Sequence, residues 1–160
     1  MTPSRQAAAG LRDRVEAARL PPAGPELFIA LDIDGTLVRR DGALSSRVCD
    51  AVRKHMEAGT HLSLATGRGI PGAREVLDAA GMREGAAVCS NGAITLDVER
   101  DAVLDSHTFD PSAGLAALHS LMPEALYAVE SIGRPRRVTA DFPPGELSGP
   151  SVVLPVEALP

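Results

Sequence analysis

Aromatic side chains are scarce in this sequence: 160 residues hold no tryptophan, one tyrosine and three phenylalanines. A base-stacking surface and an aromatic-anchored protein interface both need more rings than that. Cysteine is scarcer still. Cys49 and Cys89 stand far apart without metal-ligand spacing, and read as reduced core residues rather than a disulfide framework. The histidines (His55, His61, His107 and His119) form no HxxxH or Cys-His pattern, which argues against zinc. No run approaches the roughly 20 apolar residues of a membrane span. The N-terminus has arginines but lacks the apolar centre of a signal peptide, and Asp13 and Glu16 interrupt the basic run of a transit peptide. A cytoplasmic location is the expectation. Positive charge is also short, 16 Lys and Arg against 21 Asp and Glu, for a net charge of −5 and a pI near 5.3. That balance argues against nucleic acid or an anionic membrane as the main partner.

What is present suffices for a core. The chain is 44% hydrophobic and 23% charged, and a compact domain of this length buries about 68–70% of its unfolded surface. Residues 1–25 read as an N-terminal tail: an Ala- and Arg-rich stretch from Ser4 to Arg19 with marginal helical spacing, then the breaker "LPPAGPE". From residue 26 the pattern sharpens. "LFIALDI" has the length and continuous apolarity of a buried parallel strand. "LSSRVCDAVRKHMEAG" predicts a helix capped by Ser45 or Ser46, with Val48, Val52 and Met56 on one face and Gly59 as its stop. "HLSLATG" predicts a second strand, "PGAREVLDAAG" a second helix, and "GAAVCSNGA" a third strand. Strand, helix, strand, helix, strand with short connections is α/β, the beginning of a doubly wound, Rossmann-like layer structure. Beyond residue 93, "ITLD" and "AVLDSHTF" predict a hairpin turning near Glu99–Asp101. A helix at "PSAGLAALHSLM" and strands at "ALYAVES", "RRVTADF" and "SVVL" follow. The expected organisation is a tail over 1–25, an α/β core over 26–93 and an α+β unit over 94–160.

Ligands of such sheets bind at the carboxyl ends of the strands. Asp32 and Asp34 end the first predicted strand, Thr66 and Gly67 the second, and Asn91 the third. Alternation along an extended chain puts Asp32 and Asp34 on one side, and Gly35 lets the chain turn sharply after them. Two carboxylates in one place repel, so one pKa rises unless a cation neutralises them. Mg²⁺ suits oxygen ligands of this kind. The alternative for Asp32-Ile33-Asp34 is a pair of aspartates capping a turn. Thr66-Gly67-Arg68 offers a hydroxyl and backbone N–H groups at a helix start, which serve an anion site or an ordinary helix cap. Asn91-Gly92 is also a common turn signal.

Together, "DIDGTL", "LATGR" and "SNGA", in this order and each at a strand end, resemble the haloacid dehalogenase-like (HAD) hydrolases, and more narrowly the Cof-type group of class IIB. The resemblance implies a Mg²⁺-dependent phosphatase acting on a small phosphorylated metabolite through an aspartyl-phosphate. It implies Asp32 as nucleophile and Asp34 as general acid and base. Thr66, Gly67 and Asn91 would lie at the phosphate, with Mg²⁺ held by Asp32 and the backbone carbonyl of Asp34; Arg68 matches the family's TGR, and a structural role is open to it. The Asp34–Thr66 interval has room for one helix and one strand, so the elements after residue 94 would begin a C2-type cap.

The resemblance runs from about Leu27 onward. The family's lysine has no counterpart in place, since the single lysine, Lys54, precedes the second motif, and no GDxxND-like segment follows residue 101. An N-terminal portion of such an enzyme is therefore the expectation, with little or no turnover on its own. The alternatives are a phosphate- or Mg²⁺-binding remnant, or a half-enzyme completed by another chain. Phosphotransfer of the phosphomannomutase-like kind is a further reading. Without flanking strands the Asp32 strand would lie at a sheet edge, open to self-association.

Overall fold

The computed structural model describes residues 13, 14, 16–39 and 41–160. Most of the expected helix between Ser4 and Arg19 lies outside the described residues. Two sheets carry the rest. The first runs β1 (Phe28–Leu31), β2 (His61–Ala65), β3 (Ala86–Cys89), β4 (Ile94–Asp97) and β5 (Ala102–Ser106), side by side in that order. β1, β2 and β3 are parallel, with Leu31 beside Leu64 and Leu64 beside Ala87. The parallel connections are α1 (Ser46–Glu57) and α2 (Ile70–Ala80).

Both helices form for local reasons. The Ser45 side chain accepts the Val48 N–H at 3.3 Å, a serine N-cap. α2 has Pro71 in its first turn and ends at Gly81, whose φ of 74° is the left-handed conformation that glycine adopts freely. Val52 of α1 and Ala73, Val76, Leu77 and Ala80 of α2 pack into one core with Leu62, Leu64, Ala87, Cys89, Ile94 and Leu96 of the sheet. Because the order β1-β2-β3 steps in one direction, equal-handed crossovers put both helices on the same face. The described residues thus build one of the two helical layers of a doubly wound fold.

That one-sided covering corrects the reading of β1 as a buried strand. Among the described residues it is also the edge strand, as expected, and its alternate residues Phe28 and Ala30 lie exposed on the face away from the two helices, with Phe28 65% exposed. An apolar run of four looks the same in sequence whether one face is covered or two. The predicted hairpin also sits elsewhere than expected. β4 pairs antiparallel with β3, and β5 with β4, so the hairpin extends the core sheet across residue 94 instead of starting the second unit. The chain reverses at Asn91–Gly92 and lies back along the free edge of β3, which satisfies that edge's backbone groups.

The second sheet is small: β6 (Ala128–Val129), β7 (Arg136–Val138) and β8 (Ser151–Val153), with β7 central. Together with α3 (Ser112–Leu121) it closes on Leu115, Tyr127 and Leu159. Both cysteines are free. Cys89 is fully buried, and burial pushes its thiol pKa up, as an inert core thiol requires. Among the described residues no helix is long and apolar enough to cross a membrane.

Leu64, fully buried at the centre of the parallel ladder, and Phe28, on the open face, make a paired test. Leu64→Ala is expected to cost about 2–5 kcal/mol, whereas Phe28→Thr should stay within about 0.5 kcal/mol. Urea midpoints of the two variants check both values.

Candidate active site

Because β1, β2 and β3 are parallel, their carboxyl ends share one end of the sheet, and each carries a cluster of polar residues there. After β1, Ile33 turns inward and is fully buried, while Asp32 and Asp34 on either side of it are exposed. The loop is tied by the Val38 N–H to the Ile33 carbonyl (2.9 Å) and the Gly35 N–H to the Val38 carbonyl (2.8 Å). Gly35, at φ 77°, makes this turn where a side chain would be strained. The expected alternation therefore holds: two carboxylates face out and an isoleucine anchors them.

The two carboxylates are partnered differently. Among the described residues the Asp32 carboxylate accepts only the Thr36 hydroxyl, at 3.3 Å. Asp34 receives both arms of the Arg68 guanidinium, Nε to Oδ2 at 3.0 Å and Nη2 to Oδ1 at 2.7 Å. This hydrogen-bonded pair holds the Asp34 carboxyl below its ordinary range and raises Arg68, against a smaller opposing effect of burial. The cation that relieves the repulsion comes from the second motif of the same chain. Arg68 thus has a definite partner in Asp34, which its place in "TGR" left open.

The ends of β2 and β3 are stitched together. The Asn91 N–H donates to the Thr66 carbonyl (3.1 Å), and the Ser90 N–H donates to the Arg68 carbonyl (2.8 Å). Thr66 is buried, and its hydroxyl accepts the Arg68 N–H at 3.1 Å, leaving its own proton to donate. Gly67 lies so close to Asn91 that a Cβ there would come within 3.0 Å of the amide Oδ1. Ser90 and Asn91 both adopt left-handed backbone, φ 51° and 55°, which is sparsely populated for residues other than glycine. Thr66, Gly67 and Asn91 are thus brought together as expected, and Asp34 is joined to them through Arg68.

Lys54 sits in the last turn of α1, which leads into the amino end of β2, so it is at the opposite end of the sheet from the carboxylates. One feature lay outside the sequence reading. Glu130, which follows β6, reaches this site and accepts the Ser90 hydroxyl at 2.8 Å. No motif marks it, because the two residues are 40 apart in the chain. Ser90 and Glu130 border a cleft of about 460 Å³ between the two sheets, which Phe109 and Arg137 also line.

For metal, the resemblance points to hard oxygens: the Asp34 backbone carbonyl and the Asp32 carboxylate, which has spare acceptor capacity. Such a set suits Mg²⁺, which commonly takes one or two carboxylates and completes its shell with phosphate and water. Among the described residues no cluster of three or more His, Cys, Asp or Glu forms a metal cage.

The Asp34–Arg68 pair has a defined pH signature. Because the Asp34 pKa is depressed on folding, the pair's stabilisation is present above the unfolded carboxylate pKa and is lost as pH falls through the folded one. Asp34 is largely exposed, so solvent screening limits that stabilisation to about 0.2–1 kcal/mol. In Arg68→Gln the Asp34 midpoint is expected to rise toward its ordinary value. A ¹³C carboxyl titration in magnesium-free buffer reads it, and an unmoved midpoint contradicts the assignment.

Comparison with known proteins bears on this constellation. The family model of haloacid dehalogenase-like hydrolases matches residues 29–127. Among solved structures, a haloacid dehalogenase-like hydrolase from Bacteroides thetaiotaomicron superposes with a TM-score of 0.64 at 21% identity, covering 74% of this chain and 45% of that one. A haloacid dehalogenase-like hydrolase from B. subtilis gives 0.59 at 23% identity, over 72% and 40% of the two chains. A HAD subclass IIB sugar phosphatase gives 0.55 at 20%, over 70% and 43%. At these identities the likeness is one of fold, and the chain spans about half the length of the structures it matches. No curated protein matches the chain. The match over residues 29–127 takes in the "DIDGTL", "LATGR" and "SNGA" strand ends, and the chain belongs to the haloacid dehalogenase-like hydrolase family.

Proposed function

We propose that the chain is a Mg²⁺-dependent phosphatase of the Cof-type, subclass IIB kind, acting on a small phosphorylated metabolite. The observation that carries this reading is the gathering of Asp32, Asp34–Arg68, Thr66–Gly67 and Asn91 at one end of a parallel sheet, with the β2 and β3 ends hydrogen-bonded to each other. The adjoining cleft of about 460 Å³ is of small-ligand size.

In this reading the free carboxylate of Asp32 attacks phosphorus, and the bond to the leaving-group oxygen breaks as that oxygen takes a proton from Asp34. Water then loses a proton to Asp34 and attacks the aspartyl-phosphate, which releases phosphate and restores the Asp32 carboxylate. The Thr66 hydroxyl and the Asn91 amide hydrogen-bond the phosphoryl oxygens, and Gly67 leaves room for them. Arg68 holds Asp34 as the carboxylate, the form needed for the water step. The acid step requires the leaving-group oxygen to take Arg68's place beside a protonated Asp34. Bound Mg²⁺, held by Asp32 and the Asp34 carbonyl, would supply charge neutralisation at the phosphoryl group.

A second reading is that the chain binds phosphate without turning it over. The position of Lys54 favours it, because no lysine reaches the carboxylates. Loss of one such charge-stabilising group typically costs about 10²–10³ in kcat. The expected result with p-nitrophenyl phosphate and Mg²⁺ is therefore slow hydrolysis that Asp32→Asn abolishes. Turnover that survives Asp32→Asn rules out the nucleophile. Saturable phosphate binding with no turnover establishes the second reading in place of the first.

A further inference from the structure

Glu130 stands where the two sheets meet. Its Oε2 accepts the Ser90 hydroxyl at 2.8 Å, and its Oε1 accepts Arg136 Nη2 at 3.4 Å. Arg136 is fixed in turn by donating Nη1 to the Ser148 carbonyl at 2.9 Å. Among the described residues, Ser90–Glu130 is the one hydrogen bond between the five-stranded sheet with its loops and the unit that contains β6, β7 and β8. The docking around it depends on small residues. A Cβ on Gly69 would collide with Glu130 Oε1, and one on Gly72 would meet Ser148 at 3.2 Å. Any larger residue at position 69 would displace the carboxylate.

Ser90 is also the residue whose N–H holds the Arg68 carbonyl, and its backbone is left-handed. A serine needs an outside restraint to stay in that conformation. The hydroxyl bond to Glu130 is such a restraint. A continuous path runs from the Glu130 carboxylate to the Ser90 hydroxyl, then from the Ser90 N–H to the Arg68 carbonyl, then from the Arg68 guanidinium to the Asp34 carboxylate.

We propose that Glu130, from the second unit, is a positioning residue for the Thr66–Gly69 loop and, through Arg68, for the Asp34 carboxylate. Its catalytic meaning rests on the reading of Asp34 and Thr66 given above; the coupling itself does not. Glu130 acts through Ser90 and needs no contact with the phosphoryl group. The second unit sets the acid/base geometry whenever it is docked, and releases it when the Ser90–Glu130 bond opens.

The test uses the ¹⁵N-labelled full chain in magnesium-free buffer, comparing wild type with Glu130→Ala, Glu130→Gln and Ser90→Ala. Two rates are followed by NMR, hydrogen exchange at the Asn91 amide and at Arg68 Nε–H, with the Leu77 amide in the buried core as the measure of global opening. Glu130→Ala and Ser90→Ala are each expected to speed both site exchanges by about tenfold or more and leave Leu77 unchanged. Glu130→Gln keeps an oxygen that accepts the Ser90 hydroxyl, and should stay within about threefold of wild type. Arg68 Nε–H exchange within about twofold of wild type in Glu130→Ala overturns the proposal. So does a Glu130→Gln effect as large as that of alanine, which would make Glu130 a docking charge for Arg136 instead. If Glu130→Ala loses the fold, seen at Leu77, Ser90→Ala breaks the same bond from the other side and decides. No turnover is required, so a chain that fails the phosphatase assay yet shows this pattern loses the proposed function and keeps the coupling.

Discussion

Three backbone hydrogen bonds beyond the last paired residues of β2 and β3 hold the site in place. The Thr66 N–H reaches the Val88 carbonyl, the Asn91 N–H reaches the Thr66 carbonyl, and the Ser90 N–H reaches the Arg68 carbonyl. They carry the parallel pairing past the regular strands and force two motifs from separate crossovers onto one spot. The cost is the left-handed backbone of Ser90 and Asn91, about 1–3 kcal/mol each. A typical hydrogen bond returns only about 0.5–1.5 kcal/mol net. The bonds alone therefore leave little surplus. The burial of Thr66, the contact of Gly67 with the Asn91 amide and the Ser90–Glu130 bond add what the backbone bonds lack.

Charge at the strand ends follows from that arrangement. With the Thr66–Gly69 loop held against Ser90, Arg68 is within reach of Asp34, and a guanidinium can grip both carboxylate oxygens where an ammonium could grip one. The two neighbouring aspartates then differ. Asp34 is committed to an internal cation, and Asp32 stays nearly free. In the proposed mechanism these separate environments let Asp32 act as nucleophile while Asp34 handles protons.

The scarcity of aromatic residues reappears at the contact between the two units. Where many interfaces insert a large ring, this one brings backbones close together. Gly69 faces the Glu130 carboxylate, Gly72 faces Ser148, and Gly149 lies against Pro71. Close approach of this kind places the second unit on the first turn of α2 and beside Ser90, at the mouth of the site. The opposite face of the sheet has no such cover among the described residues, and Phe28 and Leu104 are exposed, at 65% and 62%.

Features whose cause is local could be read from the residues alone. Ser45 caps α1 and Gly81 ends α2, because each acts within its own turn. The pairing of a buried Ile33 with outward Asp32 and Asp34 follows from alternation over three residues. Thr66, Gly67 and Asn91 could be placed at strand ends because short apolar runs lead into them. Contacts between distant segments could not be read in this way. "FIAL" has the same composition at an open edge as in a covered centre, so the exposure of β1 depended on what packs beside it. Nothing local required the 94–106 hairpin to join the core sheet, since the free edge of β3 attracts it only after that sheet exists. Arg68 meets Asp34 across 34 residues and Ser90 meets Glu130 across 40, so both partnerships exist only once the chain has folded back on itself. Local sterics and burial patterns named the chemical groups, and long-range packing chose their partners.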